Sequence, residues 1–460
     1  MMLASLLFPL LFAGDTKPGP TPNLLAIRVG KAETIAKGTI EHAVILIENG
    51  KIVTIGEDLP IERGIPVLDR PDWVVMPGLV NAYSRLGLDS EGGDDMSAEV
   101  KASAELYAAA EDFQEVVKYG VTTLGLYPAG NGVPGQACAI RPLGKSKEEL
   151  LLADGCYLKM ISRATPSAKK LFQDGFKKAD EYADKEKKAR EKFDKDKKGK
   201  KDDKKEEKKE EPKTSANAPK QADAVEIEGA AARAQGEAAA QEPAAAEDPK
   251  PDEKKDDGFV PPEPEPKAKP WVDLRSGKLR GLVSINNAAE YVHFQDAIGK
   301  ETFSWDLRLV VQRESDIFYV LDKQCYDLEY DGIGDKKCRV VMEPVLSVTP
   351  GTMRNRNLAL ELSKAGAKIV FIPRNDTLQN AKNWLANVGE MVGASLDRNV
   401  ALRAVTLEPA ELLGVEKRVG SLEKGKDANL LFYSGDPLEP TSKLQAVMLD
   451  GRFVHGEVKL

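Results

Sequence analysis

The stretch Trp73-Val74-Val75-Met76-Pro77-Gly78-Leu79-Val80-Asn81-Ala82-Tyr83-Ser84-Arg85 changes character halfway along. Its apolar run reads as a buried strand, and Pro77-Gly78 reads as a sharp backbone adjustment before the chain continues inward. Asn81, Tyr83, Ser84 and Arg85 then stand where a barrel strand delivers side chains to its open end. Such a strand needs further buried strands on both sides. Gly120-Val121-Thr122-Thr123-Leu124-Gly125-Leu126-Tyr127-Pro128 supplies one, and the amphipathic pattern from Ser97 to Val117 predicts a helix ahead of it. Helix, glycine, then a β-branched run is the repeating unit of a parallel barrel. Short aliphatic runs at 157–160, 279–285, 307–312, 339–343 and 368–373 continue the series, and Ala137-Cys138-Ala139-Ile140 either completes eight strands or belongs to an excursion.

Both ends of the chain read as sheet. Ile47-Glu48-Asn49-Gly50-Lys51-Ile52-Val53-Thr54-Ile55-Gly56 places Asn-Gly between two apolar runs, a tight hairpin because both turn residues accept positive φ. Near the C-terminus, Ala401 to Gly414 reads as a helix. Val419-Gly420-Ser421-Leu422-Glu423-Lys424-Gly425-Lys426-Asp427-Ala428-Asn429-Leu430 and Gly435-Asp436-Pro437-Leu438 follow it as turn-shaped segments, their glycines and prolines setting turns and their aspartates capping them.

These segments together resemble the amidohydrolase superfamily: an apolar strand, Pro-Gly-Leu, an acidic or amide residue, a spacer and then His-x-His, with a small sheet domain built from both termini. The resemblance covers roughly residues 22–165 and 271–458, and the imidazolonepropionase-like and dihydroorotase-like branches are the nearest in pattern. It implies an α/β fold, a (β/α)8 TIM-like barrel at 71–175 and 271–414 with a composite β-sandwich domain at 22–70 and 415–460. It also implies hydrolysis by a metal-bound water, with histidines from the first, fifth and sixth strands and an aspartate after the eighth that takes the proton.

Position by position the chain departs from that pattern. Tyr83 and Arg85 occupy the first-strand histidine positions, and a guanidinium has no lone pair to offer a metal. Ser284, Asn286 and Asn287 stand at the fifth strand end, and Gln312-Arg313-Glu314 at the sixth. Only Asp376, in Arg374-Asn375-Asp376, keeps the family's carboxylate. Lys159 falls where some relatives carry a carbamylated, metal-bridging lysine, but with no imidazoles around it an ion-pairing or structural lysine is the expectation. Only three histidines occur; His42 and His455 lie in the terminal sheet segments and His293 reads as a helix residue. The expectation is no metal cofactor, with zinc as the alternative. The mouth would be lined by Tyr83, Arg85, Ser284, Asn286, Arg313, Arg374 and Asp376, either as a closed salt-bridge network or as a pocket for a small anion. A degenerate member that binds a ligand or partners an active homologous subunit is one functional expectation. A divergent hydrolase of cyclic amide carbon–nitrogen bonds is the other.

From Glu181 to Glu210, 25 of 30 residues are charged, and the chain then turns to Ala, Glu, Pro and Gln. Residues 176–270 therefore read as a disordered insertion between the fourth and fifth strands, unable to bury enough apolar surface to offset its ordering entropy. Its Lys/Glu part has the propensities of a solvated, coiled-coil-like helix. The insertion is read as a tolerated surface segment, with docking as the alternative. Residues 1–14 have the short apolar core of an export signal, so a periplasmic or extracellular location is expected. No stretch is long and apolar enough for a mature transmembrane helix. A net charge of −8 gives no reason to expect a nucleic-acid partner. Cys138, Cys156, Cys325 and Cys338 show no zinc or disulfide spacing.

Overall fold

The computed structural model describes residues 24–206, 258–310, 339–348, 351–364 and 366–458, with side chains described to residue 197 in the first span. Residues 1–14, most of the Ala/Pro-rich part of the insertion, and Gln312, Arg313, Glu314, Cys325 and Cys338 lie outside the described residues.

The chain opens with β1 (Leu24–Glu33), β2 (Thr39–Glu41), β3 (Ala43–Glu48), β4 (Lys51–Glu57) and β5 (Val67–Pro77). Asn49 and Gly50 turn β3 into β4 at φ of 50° and 79°, the left-handed pair that the Asn-Gly dipeptide tolerates. Eight barrel strands follow: β6 (Leu79–Ser84), β7 (Val121–Leu126), β8 (Gly135–Ile140), β9 (Leu151–Ile161), β10 (Gly281–Ile285), β11 (Trp305–Leu309), β12 (Arg339–Met342) and, after a small hairpin of β13 (Ser347–Val348) and β14 (Asn355–Arg356), β15 (Lys368–Phe371). The chain closes with β16 (Leu430–Tyr433), β17 (Leu444–Leu449) and β18 (Arg452–His455). The terminal segments hydrogen-bond as one eight-stranded sheet, β18-β17-β16-β5-β1-β3-β4 with β2 beside β1, around a core that includes Ile27, Ile45, Val75, Leu430 and Met448.

In the barrel the order is β6 through β12, then β15. Every pairing is parallel except those of β8, which runs antiparallel to both β7 and β9. The run around Ala137–Ile140 thus belongs to the barrel, but reversed in direction. The join at Pro77-Gly78 has a steric cause: a Cβ on Gly78 would lie 2.0 Å from Thr122 Oγ1, so only glycine lets β5 pass beneath β7 into β6. Along β6 the alternation of a strand sends Val80 and Ala82 inward, where they meet Ala139, Tyr157, Leu282, Val341 and Val370. Outward residues such as Leu124, Leu158, Val283 and Phe371 pack against the helices.

The helices are α1 (Glu111–Val117), α2 (Lys147–Leu150), α3 (Pro166–Glu206), α4 (Lys269–Arg275), α5 (Ala288–Ile298), α6 (Leu358–Lys364), α7 (Leu378–Gly393), α8 (Arg398–Ala404) and α9 (Leu407–Leu412). The continuous helix expected over Ser97–Val117 is replaced by a single 3-10 turn at Ala102–Glu105 followed by α1. The reason is competition for backbone groups: Val100 O accepts from Gln136 N at 2.7 Å and Val133 O from Ser97 N at 2.9 Å, so the segment bonds to the approach to β8 instead of to itself. At the far end Val80 N donates to Val405 O at 2.9 Å, and residues after α9 such as Leu413 and Val415 join the barrel interior.

The chain divides into one unit of residues 1–180 with 264–460 and a second of 181–263. In the first, the opening turns of α3 bury Phe172 and Phe176, with Phe176 edge-on to Trp271 at 5.0 Å. In the second, α3 carries the charged sequence onward, and the two ends of the unit touch through Tyr182 Oη donating to Pro262 O at 2.9 Å and Phe193 against Phe259 at 5.5 Å. Among the described residues, no helix is long and apolar enough to cross a membrane.

Candidate functional site

The C-terminal ends of the parallel strands bring four side chains together that are far apart in sequence. Tyr83, near the end of β6, stacks on Tyr127, just past β7, with centroids 4.0 Å apart and planes 29° from parallel. Lys159, near the end of β9, holds its ammonium 3.8 Å from the Tyr127 centroid and 5.6 Å from that of Tyr83. Arg308 of β11 places Cζ 5.4 Å from the Tyr83 centroid. Two aromatic faces thus receive two cations, an arrangement worth about 0.5–2 kcal/mol per contact depending on desolvation.

The two cations differ in what else they touch. Arg308 Nη2 donates to Glu343 Oε1 at 2.7 Å, and Nη1 donates to the carbonyls of Leu309 and Val341. Lys159 is 6% exposed and has no carboxylate partner among the described residues. Burial pulls its pKa down to about 7, helped by the positive charges of Arg85 and Arg308. Burial pushes the Tyr127 phenol up, with Tyr83 and Asp376 adding to it. The mouth therefore holds an amine that sheds its proton near neutrality beside the Tyr127 phenol, which keeps its own.

Asp376 follows β15 and is held by the end of β6: Ser84 Oγ donates to Oδ1 at 2.6 Å and the Arg85 backbone N–H donates to Oδ2. These bonds tie the two strands at opposite ends of the sheet order together at the mouth. Desolvation raises the pKa of Asp376, against the pull of Ser84 and Arg85. The Arg85 guanidinium is directed to Tyr127 O at 3.0 Å and Ser90 O at 2.8 Å, with Glu105 3.7 Å away. Arg374 turns to Glu390 of α7 at 2.9 Å and to Pro344 O. Asn286 is spent on Glu290, donating to both carboxylate oxygens at 3.0 Å as α5 begins. Ser284 Oγ is buried without a hydrogen-bond partner. Of the residues read from sequence, Tyr83, Arg85, Lys159 and Asp376 gather at the mouth, while Arg374 and Asn286 are engaged with helices. Tyr127, Arg308 and Glu343 complete the cluster without a motif of their own; the one sequence signal is Arg308 interrupting the apolar alternation of Leu307 and Leu309.

The opposite end of the barrel carries a different electrostatic arrangement. Glu408 of α9 lies 2.6 Å from Arg403, 3.6 Å from Arg339 and 3.5 Å from Lys368. Glu411 takes Lys368 at 2.9 Å and pairs with Arg339. Although burial works against it, Lys368 and Arg339 hold Glu411 below its ordinary pKa. Asp306 pairs with Arg280 at 2.7 Å and accepts the Arg339 backbone N–H at 3.1 Å. This end faces away from the mouth, where barrel residues serve stability.

The described donors fit a divalent cation poorly. His42 sits in a turn at φ 45°, His455 in β18 and His293 in α5. No group of three or more His, Cys, Asp or Glu among the described residues is placed to hold a metal ion. Among the described residues, the mouth carboxylates Glu343, Asp376 and Glu105 are engaged, Glu343 by Arg308, Asp376 by Ser84 and the Arg85 backbone, and Glu105 by Ser90. Cys138 and Cys156 are free thiols; burial pushes both up, Cys156 to about 12, so neither is a thiolate nucleophile at neutral pH.

Residues 356–458 match the profile of the amidohydrolase family. The fold is similar to the crystal structure of an amidohydrolase from Thermotoga maritima MSB8, with TM-score 0.67 and 18% identity over 94% of this chain and 100% of that one. A weaker likeness, TM-score 0.45 and 13% identity over 93% and 92% of the two chains, is to a zinc-bound adenosine deaminase from Xanthomonas campestris. No curated protein sequence matches the chain.

Proposed function

We propose that this chain is an amidohydrolase-superfamily barrel whose mouth binds a small anionic ligand, a carboxylate above all, in place of metal-dependent hydrolysis. The observation that carries the reading is Lys159: a buried amine set on the faces of Tyr83 and Tyr127, beside Arg308, with no carboxylate of the described chain on it. An anion arriving there would supply the missing partner and draw a proton onto the amine, so binding and charge satisfaction are one event. Arg308, its Nη groups already taken by Glu343 and two backbone carbonyls, would add its positive charge to the field at the anion. Tyr83 and Arg85, at the positions where the family pattern places metal-binding histidines, support the same reading, since a guanidinium cannot ligate zinc. Partnership with an active homologous subunit is compatible with this role.

The test is a titration of the purified full chain with malonate against chloride at matched ionic strength, with zinc measured on the same sample. The reading expects saturable stabilisation by malonate, absent from Lys159→Met, and below about 0.1 equivalent of zinc per chain, because a catalytic zinc site needs about three protein ligands. Stoichiometric zinc together with hydrolysis of a cyclic amide such as dihydrouracil would establish the divergent hydrolase instead.

A further inference from the structure

Where the barrel meets the terminal sheet, a groove of about 1010 Å³ lies among the β3–β4 turn, the segment after β8, the chain between α9 and β16, and the β17–β18 turn. Its platform is cross-bonded. Ala428 N donates to Gly50 O at 2.8 Å, Gly451 N to Ala428 O at 3.0 Å and Asp450 N to Asn429 Oδ1 at 2.9 Å. A Cβ on Gly50 would meet Asp450 O at 2.7 Å, so the two turns press together and hold their flanking side chains in place.

Those side chains are unequally charged. Lys51, Arg141, Lys145, Arg418 and Arg452 line the groove against Glu149, Asp427 and Asp450, a surplus of two positive charges. Asp427 is shared between Lys51 at 2.7 Å and Arg418 at 2.7 Å, while Asp450 pairs with Arg141. Arg141 Nε is buried with no hydrogen-bond partner, and the Lys145 ammonium has no ion-pair partner among the described residues. Burial and the nearby Arg418 both lower the Arg141 pKa. Leu143, Leu449 and Val454 add an apolar wall.

We propose that this groove binds a phosphate-bearing small molecule. Its phosphoryl oxygens are taken by Arg141, Lys145 and Arg452, and its uncharged part lies on Leu143 and Val454. A phosphomonoester carries close to two negative charges at neutral pH, which matches the surplus. Guanidinium and ammonium groups on several sides suit a tetrahedral anion better than a planar carboxylate. The volume is that of a small-molecule site. This site is separate from the barrel mouth and does not depend on what the mouth binds.

Inorganic pyrophosphate is the probe, titrated calorimetrically into the full chain at ionic strength matched with sodium chloride. The expected result is saturable binding at one equivalent, weakened at least tenfold in a Lys145→Gln, Arg452→Gln protein and unchanged in Lys159→Met. Both groove positions are exposed, so the double variant is expected to fold; Lys145→Gln alone provides a milder second variant with weakening in the same direction. Absence of saturable binding would overturn the proposal. So would binding lost in Lys159→Met and kept in the groove variants, which would assign pyrophosphate to the mouth.

Discussion

Replacing Lys159 by methionine removes a charge from the barrel mouth while nearly preserving side-chain shape. Lysine ordinarily titrates near 10.5, and this one does so at about 7. The folded chain therefore releases its proton first. Below about pH 7 both folded and unfolded states hold the proton, and the full penalty of burying the ammonium is in force. Between about 7 and 10.5 the unfolded state alone holds it, so stability rises with pH at about 1.4 kcal/mol per pH unit. Above that window both states are neutral and the contribution is flat. Integrated across the window, the gain is on the order of 3 to 5 kcal/mol. Lys159→Met has no such group, so the wild-type unfolding free energy minus that of the variant is expected to climb by that amount from pH 7 to 10.5. Urea unfolding of both proteins at intervals across the window measures it, and subtracting the variant removes the titration of other groups. Parallel profiles for the two proteins, or a difference that falls with pH, would refute the argument.

Two further outcomes test the scaffold. Glu408→Ala leaves Arg339, Lys368 and Arg403 short of a counter-charge in the barrel floor; Glu408 is 4% exposed, and a loss of about 3 kcal/mol is expected in denaturant unfolding, whereas a loss under about 1 kcal/mol would mean the floor is solvent-screened. Excision of Glu181–Glu263, the second unit, with a short Gly/Ser joint should preserve a single cooperative thermal transition because loop length carries only a logarithmic cost, and insoluble product would show that the unit completes the core.

What could be read from sequence follows from the range of the forces involved. The Pro77-Gly78 break between β5 and β6, the Asn49-Gly50 turn and the Val121–Leu126 strand are legible from turn chemistry and periodicity, whereas the reason position 78 must be glycine, its contact with Thr122, comes from a distant part of the chain. The Ser97–Val117 segment has helical periodicity, yet Gln136 and Ser97 draw its neighbourhood into bonds with the approach to β8, which no local pattern encodes. The same limit governs the site. Tyr83 and Lys159 are legible because strand ends project into a mouth. Arg308 is not, because its partner Glu343 belongs to the chain just after the adjacent strand, 35 residues away. Sequence adjacency suggests Arg374 for Asp376, but Arg374 pairs across to Glu390 and Asp376 is taken by Ser84 and the Arg85 backbone. In a barrel, ion-pair partners come from neighbouring elements, and short local spacing is a poor guide to them.

The titration of Lys159 also reports the sign of whatever occupies the mouth. Its proton is disfavoured by burial and by Arg85 and Arg308, so a bound anion and a bound metal cation would move it in opposite directions. At an effective dielectric near 20, a unit charge about 6 Å away contributes about 3 kcal/mol, which corresponds to about two pH units. A carboxylate in the mouth is therefore expected to return the amine toward an ordinary lysine value. A dication would drive it further down and hold the amine neutral throughout the physiological range. Carbon NMR of Cε-labelled lysine, with the Lys159 signal assigned by its absence from Lys159→Met, measures this during separate malonate and zinc titrations. An upward movement with malonate, at concentrations where zinc leaves the signal unmoved, is the outcome the proposed function requires. A downward movement with zinc at one equivalent, and none with malonate, would locate a metal where the side chains argue for an anion.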